Sequence, residues 1–102
     1  MIERERFFDS GDALFALARA ERARGDLASA RVHFEELSAR SGRPEILYGL
    51  AEAQAAMGDR EAAVQALRRI VEEAELVPEY LQRSVRPWVK KARRALKQMG
   101  AG

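Results

Sequence analysis

Cysteine, threonine and asparagine are absent from this chain of 102 residues, and histidine occurs once, at His33. Without cysteine no disulfide contributes to stability, which suits a reducing compartment and sets the expectation of a cytoplasmic location. A zinc site needs about four soft or borderline ligands. One histidine without a thiol does not supply them, so neither a metal nor a cofactor is expected, and His33 is assigned to the outer face of its helix. Long apolar runs are also missing. Phe7-Phe8 and Ala62-Ala63-Val64 fall far short of the roughly 20 residues that span a bilayer. The start, Met1-Ile2-Glu3-Arg4-Glu5-Arg6, carries both signs of charge and no apolar signal region. No transmembrane segment is expected.

Catalytic patterns are lacking too. There is no glycine-rich phosphate loop and no serine–histidine–acid set. The acidic pairs Glu35-Glu36 and Glu72-Glu73 are adjacent in sequence. Adjacent helical residues point about 100° apart, so neither pair converges on one substrate atom. The chain is read as no enzyme.

What the chain does hold is helix-forming material: 19 alanines and 15 arginines against three lysines. Alanine, leucine, glutamate and arginine favour helix, and β-branched residues are scarce. The expected fold class is all-α. Residues 1–79 contain 11 basic and 16 acidic residues, whereas 80–102 contain seven basic and none acidic. A basic C-terminal helix on a mildly acidic body follows.

Sliding the sequence by 33 residues places Gly25-Asp26 on Gly58-Asp59. The same step puts Leu14 on Leu47, Leu17-Ala18 on Leu50-Ala51, Ala30 on Ala63, Phe34 on Leu67 and Leu37 on Ile70. The matches keep helical spacing, so each unit reads as a helical hairpin. In the first, Leu14, Leu17, Ala18 and Glu21 share one face. Gly25 ends that helix in the left-handed conformation, and Asp26 caps the next. Leu27, Ala30, Phe34 and Leu37 form the inner face of the second helix. Ala18 with Ala30, and Ala51 with Ala63, let paired helices approach closely. Pro44 suits the first turn of a third helix. A fifth helix starts near Pro78, with Leu81, Val85, Trp88, Ala92 and Leu96 in one phase. Pro87 inside it removes a backbone bond, and a kink is expected there rather than a break. The first helix is expected to start near Asp9-Ser10.

In these features the sequence resembles the tetratricopeptide repeat family. That family's pattern of a leucine and small residue, a Gly-Asp turn, a small residue, an aromatic and a closing proline is met by Leu17-Ala18, Gly25-Asp26, Ala30, Phe34 and Pro44. Leu50-Ala51, Gly58-Asp59, Ala63, Leu67 and Pro78 meet it again. Glu21 and Gln54 stand where the family usually has an aromatic, and Leu37 and Ile70 replace a small residue. The stretch from Pro78 to Lys97 is also similar to the tail of certain bacterial multi-repeat proteins. The resemblance implies a right-handed α-α superhelix of five helices. Its parts are an N-terminal segment (1–10), repeats at 11–43 and 44–77, a capping helix (78–99) and a tail (100–102).

The family register further implies a concave groove for a protein or peptide partner. It is lined by Phe15, Arg19 and Arg22 from the first helix and by Tyr48, Glu52 and Ala55 from the third. Gln82, Arg86 and Lys90 come from the fifth. The lysine/asparagine set with which some members clamp a terminal carboxylate is not matched by Phe15, Arg19, Gly49, Glu79 and Arg83. Two alternatives stand beside an adaptor or scaffold role. Arg83, Arg86, Lys90, Lys91, Arg93, Arg94 and Lys97 suit phosphates of nucleic acid or anionic lipid. Ile2, Phe7 and Phe8 suit either covering the end of the stack or a homodimer contact.

Overall fold

The computed structural model describes the backbone of residues 2–101 and the side chains of residues 13–101. Among them there are five helices and no strand: α1 (Ile2–Arg24), α2 (Leu27–Arg40), α3 (Pro44–Ala56), α4 (Arg60–Ala74) and α5 (Glu79–Gln98). Each helix packs against its neighbour in sequence, and α3 also touches both α1 and α5. This is the all-helical stack expected from the repeat.

Local chemistry sets the helix ends. Gly25 and Gly58 both have φ of 87°, so the chain reverses at each without the steric penalty a Cβ would bring. The following aspartates cap the next helix: Asp26 accepts from the Ser29 amide at 3.4 Å and Asp59 from the Ala62 amide at 3.3 Å. Pro44 occupies the first turn of α3, where its missing amide hydrogen costs nothing. Helix α5 runs through Pro87 without a break. Helix α1 begins at Ile2 rather than near Asp9-Ser10. Gly11 is the one breaker in that stretch, and a single glycine costs only about 1 kcal/mol in a helix. The side chains of Ile2, Phe7 and Phe8 lie outside the described residues.

The core runs along the seam of both hairpins. Ala18, Ala30, Ala51 and Ala63 are all buried, as their pairing anticipated. Phe34 and Leu47 are the largest fully buried side chains. The 33-residue equivalence then exposes a difference between the ends. Leu50 is 7% exposed, but Leu17, its equivalent, is 42% exposed. Helix α3 has α2 packed against it from the preceding hairpin, and α1 has no such neighbour among the described residues. Leu81 is likewise 40% exposed, although Gln82 beside it bonds the end of α4. Leu17 and Leu81 therefore do not belong to the core to which their spacing assigned them.

His33 is corrected in the same way. It does not sit freely on the outer face of α2: it is half-buried, and its Nδ1 lies 2.6 Å from Oε1 of Glu21 in α1. Glu21 is 6% exposed. A carboxylate facing the hairpin interface must find a polar partner, and His33 is within reach.

Candidate functional site

The inner surface of the stack is formed by α1, α3 and α5, the first helix of each successive pair. It holds an open groove of about 470 Å³. Helix α1 contributes Phe15, Arg19 and Arg22; α3 contributes Glu45, Tyr48, Gly49 and Glu52; α5 contributes Trp88 and Lys91. Phe34 of α2 forms part of the floor.

Phe34 reaches the groove because Gly49 has no side chain. A Cβ there would lie 2.6 Å from two ring carbons of Phe34. With that space open, the Phe34 ring meets Phe15 edge-on, with centroids 6.2 Å apart and planes at 72°. Across the groove Tyr48 and Trp88 form a second aromatic pair, at 5.9 Å and 58°. Such pairs favour tilted and edge-to-face geometry because of the ring quadrupole.

The charges fall into two sets. Arg22 Nη1 is 3.2 Å from Glu52 Oε1, and Arg43 Nη2 is 2.5 Å from Glu45 Oε2. Both groove carboxylates are thus answered from within the chain. Arg19 instead lies over the Phe15 ring, 5.6 Å from its centroid. The Lys91 ammonium lies 5.3 Å from the Tyr48 centroid and 4.9 Å from that of Trp88. Neither cation makes an ion pair among the described residues. Each is held by the electron-rich face of a ring, which leaves its outward side open to an anion.

Of the residues assigned to the groove from sequence, Phe15, Arg19, Arg22, Tyr48 and Glu52 are brought together here. Gln82 and Arg86 line a separate hollow with Val71, Val85 and Val89. The Gln82 amide is engaged there, donating to the carbonyls of Ala74 (3.1 Å) and Val77 (3.0 Å). Lys90 is exposed beside Lys91 but does not line the groove, and Ala55 is exposed outside it. Trp88 and Lys91 take the place of the α5 residues chosen from the register. Gly100, whose φ of 76° makes a turn like those of Gly25 and Gly58, sets a register in which Lys91 falls on Gly49. The same register puts Lys90 on Tyr48 and Trp88 on Ile46, so it does not by itself select Trp88 and Lys91.

Among the described residues no group of acidic, histidine or cysteine side chains is placed to hold a metal ion, and no helix is long and apolar enough to cross a membrane. Comparison with curated proteins and with solved structures gave no match. The profile of the tetratricopeptide repeat matches residues 21–82, a span from the end of α1 into α5. Repeats of this kind generally mediate contacts between proteins. With more than half of its length matched and its helices stacked as two hairpins and a fifth helix, the chain belongs to the tetratricopeptide repeat family.

Proposed function

We propose that this chain is a non-catalytic adaptor module that holds an acidic segment of a partner protein in the groove between α1, α3 and α5. One observation carries the reading: Arg19 and Lys91 are fixed on aromatic faces without a carboxylate partner among the described residues, while the groove's own acids are paired internally. A partner carboxylate meets a pre-positioned cation at either end, and an apolar side chain meets the rings between them. Aromatic and arginine residues in a sheltered pocket are the usual anchors of such contacts.

Phosphate binding by the basic helix is the second reading, and one observation favours it. At about 100° per residue, Arg83, Arg86, Lys90, Arg93, Arg94 and Lys97 fall on one side of α5, and only Lys91 turns to the groove. Arg86 and Arg93 line one hollow, and Arg93 and Lys97 line the next. A phosphate backbone needs a continuous basic track.

Trp88 is the sole tryptophan and lines the groove, so its fluorescence reports occupancy. Proteins captured from lysate at moderate salt by wild type, but not by an Arg19→Glu/Lys91→Glu variant of equal helicity, supply the candidate segments. Titrating one as a peptide should shift Trp88 emission saturably, with affinity at least tenfold weaker in the variant. Capture of nucleic acid or lipid by both proteins alike, abolished by salt, would reject the groove and move the function to α5.

A further inference from the structure

A second surface lies on the far side of α5, away from the groove. Helix α4 packs on α3 and also reaches back to α2. Arg31 Nη2 donates to Asp59 Oδ2 at 2.7 Å, and Arg69 Nη1 donates to the Ser38 carbonyl at 3.4 Å. Helix α4 thus fills a slot whose walls are α2 and α3. One step further along the stack, the equivalent walls are α4 and α5, and no helix among the described residues fills the slot between them.

That slot has an apolar floor and a basic rim. Its volume is about 520 Å³, and it is lined by Val71, Leu96 and Ala101 with Arg68, Arg93 and Lys97 around them. Glu72 is the one carboxylate in the lining. None of the three cations makes an ion pair among the described residues. The 33-residue step relates the two slots. Ser38, which touches α4 in the filled slot, is equivalent to Val71 in the open one. Ser38 makes that contact through its backbone carbonyl, and the open slot has a branched apolar side chain at this position, while Glu72 beside it stands where Ala39 does. Leu96 is buried at the slot's base, and the turn at Gly100 returns Ala101 to its edge, where the Ala101 amide donates to the Leu96 carbonyl at 2.8 Å. The same turn follows α1 and α3, where the Asp26 and Asp59 amides donate to the carbonyls of Glu21 and Gln54.

We propose that this slot receives one amphipathic helix from a partner protein, with small and apolar residues on its inner face and acidic residues on its flanks. The partner helix lies along the seam between α4 and α5 but farther from α5 than α4 lies from α3, because Arg93 stands where the buried Ala51 lets that pair approach closely. The apolar floor calls for a helix with a buried stripe, and three cations against one carboxylate call for negative flanks. A second copy of this chain fits less well. Stacking head to tail would bring an α1-type helix to a place shaped for an α2-type helix. The groove is not involved, so this inference stands apart from the function proposed above.

The test uses a synthetic helical peptide with alanine, phenylalanine and leucine at the spacing of Ala30, Phe34 and Leu37 and glutamates on both flanks. A control carries lysines in place of the glutamates. Each is titrated into the isotopically labelled chain and followed by amide chemical shifts. Saturable shifts at Val71, Arg93, Leu96 and Ala101, with Tyr48 and Gly49 unmoved, are expected for the acidic peptide alone. Binding should weaken at least tenfold in Arg68→Glu/Arg93→Glu and be unchanged in Arg19→Glu/Lys91→Glu. Lys97→Glu provides an independent variant if the double reversal lowers the melting temperature. No saturable binding, shifts confined to the groove, or equal binding of the lysine peptide would each overturn the proposal. So would concentration-dependent self-association lost in the same variants, which would assign the slot to a second copy.

Discussion

At the scale of single residues, the contact between Gly49 and Phe34 links fold to site. Gly49 lies mid-helix, where alanine is ordinarily preferred by about 1 kcal/mol. Phe34 is 1% exposed and has little room to withdraw from a Cβ that would sit 2.6 Å from its ring. Overpacking a filled core costs about 1–3 kcal/mol and outweighs the gain in propensity. Gly49→Ala should therefore destabilise the fold, lowering the melting temperature by several degrees in thermal circular dichroism, on a scale of roughly 4–8 °C per kcal/mol for a domain this size. An unchanged or raised melting temperature would show that the ring moves aside freely. The Glu21–His33 pair belongs to the same scale. Glu21 was visible in the sequence as a departure from the family's aromatic position, but its partner was not. Pairing across a hairpin depends on how two helices are rotated, and residue spacing along one helix does not report that. Gln54, the equivalent of Glu21, is also buried, and its Oε1 finds no hydrogen-bond partner among the described residues.

Between elements, Arg31 ties the two hairpins together. It bonds Glu35 one turn along its own helix and Asp59 at the cap of α4. Asp59 is held below its ordinary value of 3.8, first by the Arg31 side chain and then by the Ala62 amide. Arg31 is raised in turn, by its hydrogen bonds to Glu35 and Asp59. A depressed carboxylate stabilises the fold fully above its unfolded value, and the contribution fades as pH falls through the lower folded value. The urea midpoint of wild type should therefore exceed that of Arg31→Gln at pH 6, with the gap closing as pH falls below about 4. A gap that stayed constant with pH would mean that Arg31 acts through packing instead. The Gly-Asp turns, the aspartate caps and the placement of Pro44 were all legible beforehand, because each rests on the intrinsic chemistry of one or two residues. The start of α1 was not, because the local breaker signal at Gly11 was too weak to stop a long run of helix formers.

Across the whole molecule, the repeat makes a quantitative contrast. Leu50 and Leu17 hold equivalent positions in the sequence pattern, yet only Leu50 is buried. Truncating a buried leucine costs about 2–5 kcal/mol through lost transfer energy and the cavity left behind. An exposed one costs well under half of that. Leu50→Ala should thus lower the denaturation midpoint sharply, and Leu17→Ala only slightly. A large loss at Leu17 that grew as protein concentration rose would instead place a second copy on that end.

The sequence by itself determined the helices, their order, the small residues at the crossings and the membership of the repeat family. These features follow from periodicity, capping and close packing, which act over a few residues and recur at a fixed interval. It also identified the α1 and α3 sides of the groove, because the 33-residue step carries one helix onto the other. The α5 side depended on tertiary structure. There the step is broken, and only the packing of Trp88 against Tyr48 decides that Lys91, rather than Gln82, Arg86 or Lys90, faces inward. The states of the two groove cations were likewise set by tertiary structure. Whether an arginine meets a ring or a carboxylate depends on which side chains the stacked helices bring within a few ångströms, and that distance is fixed only once the helices have packed.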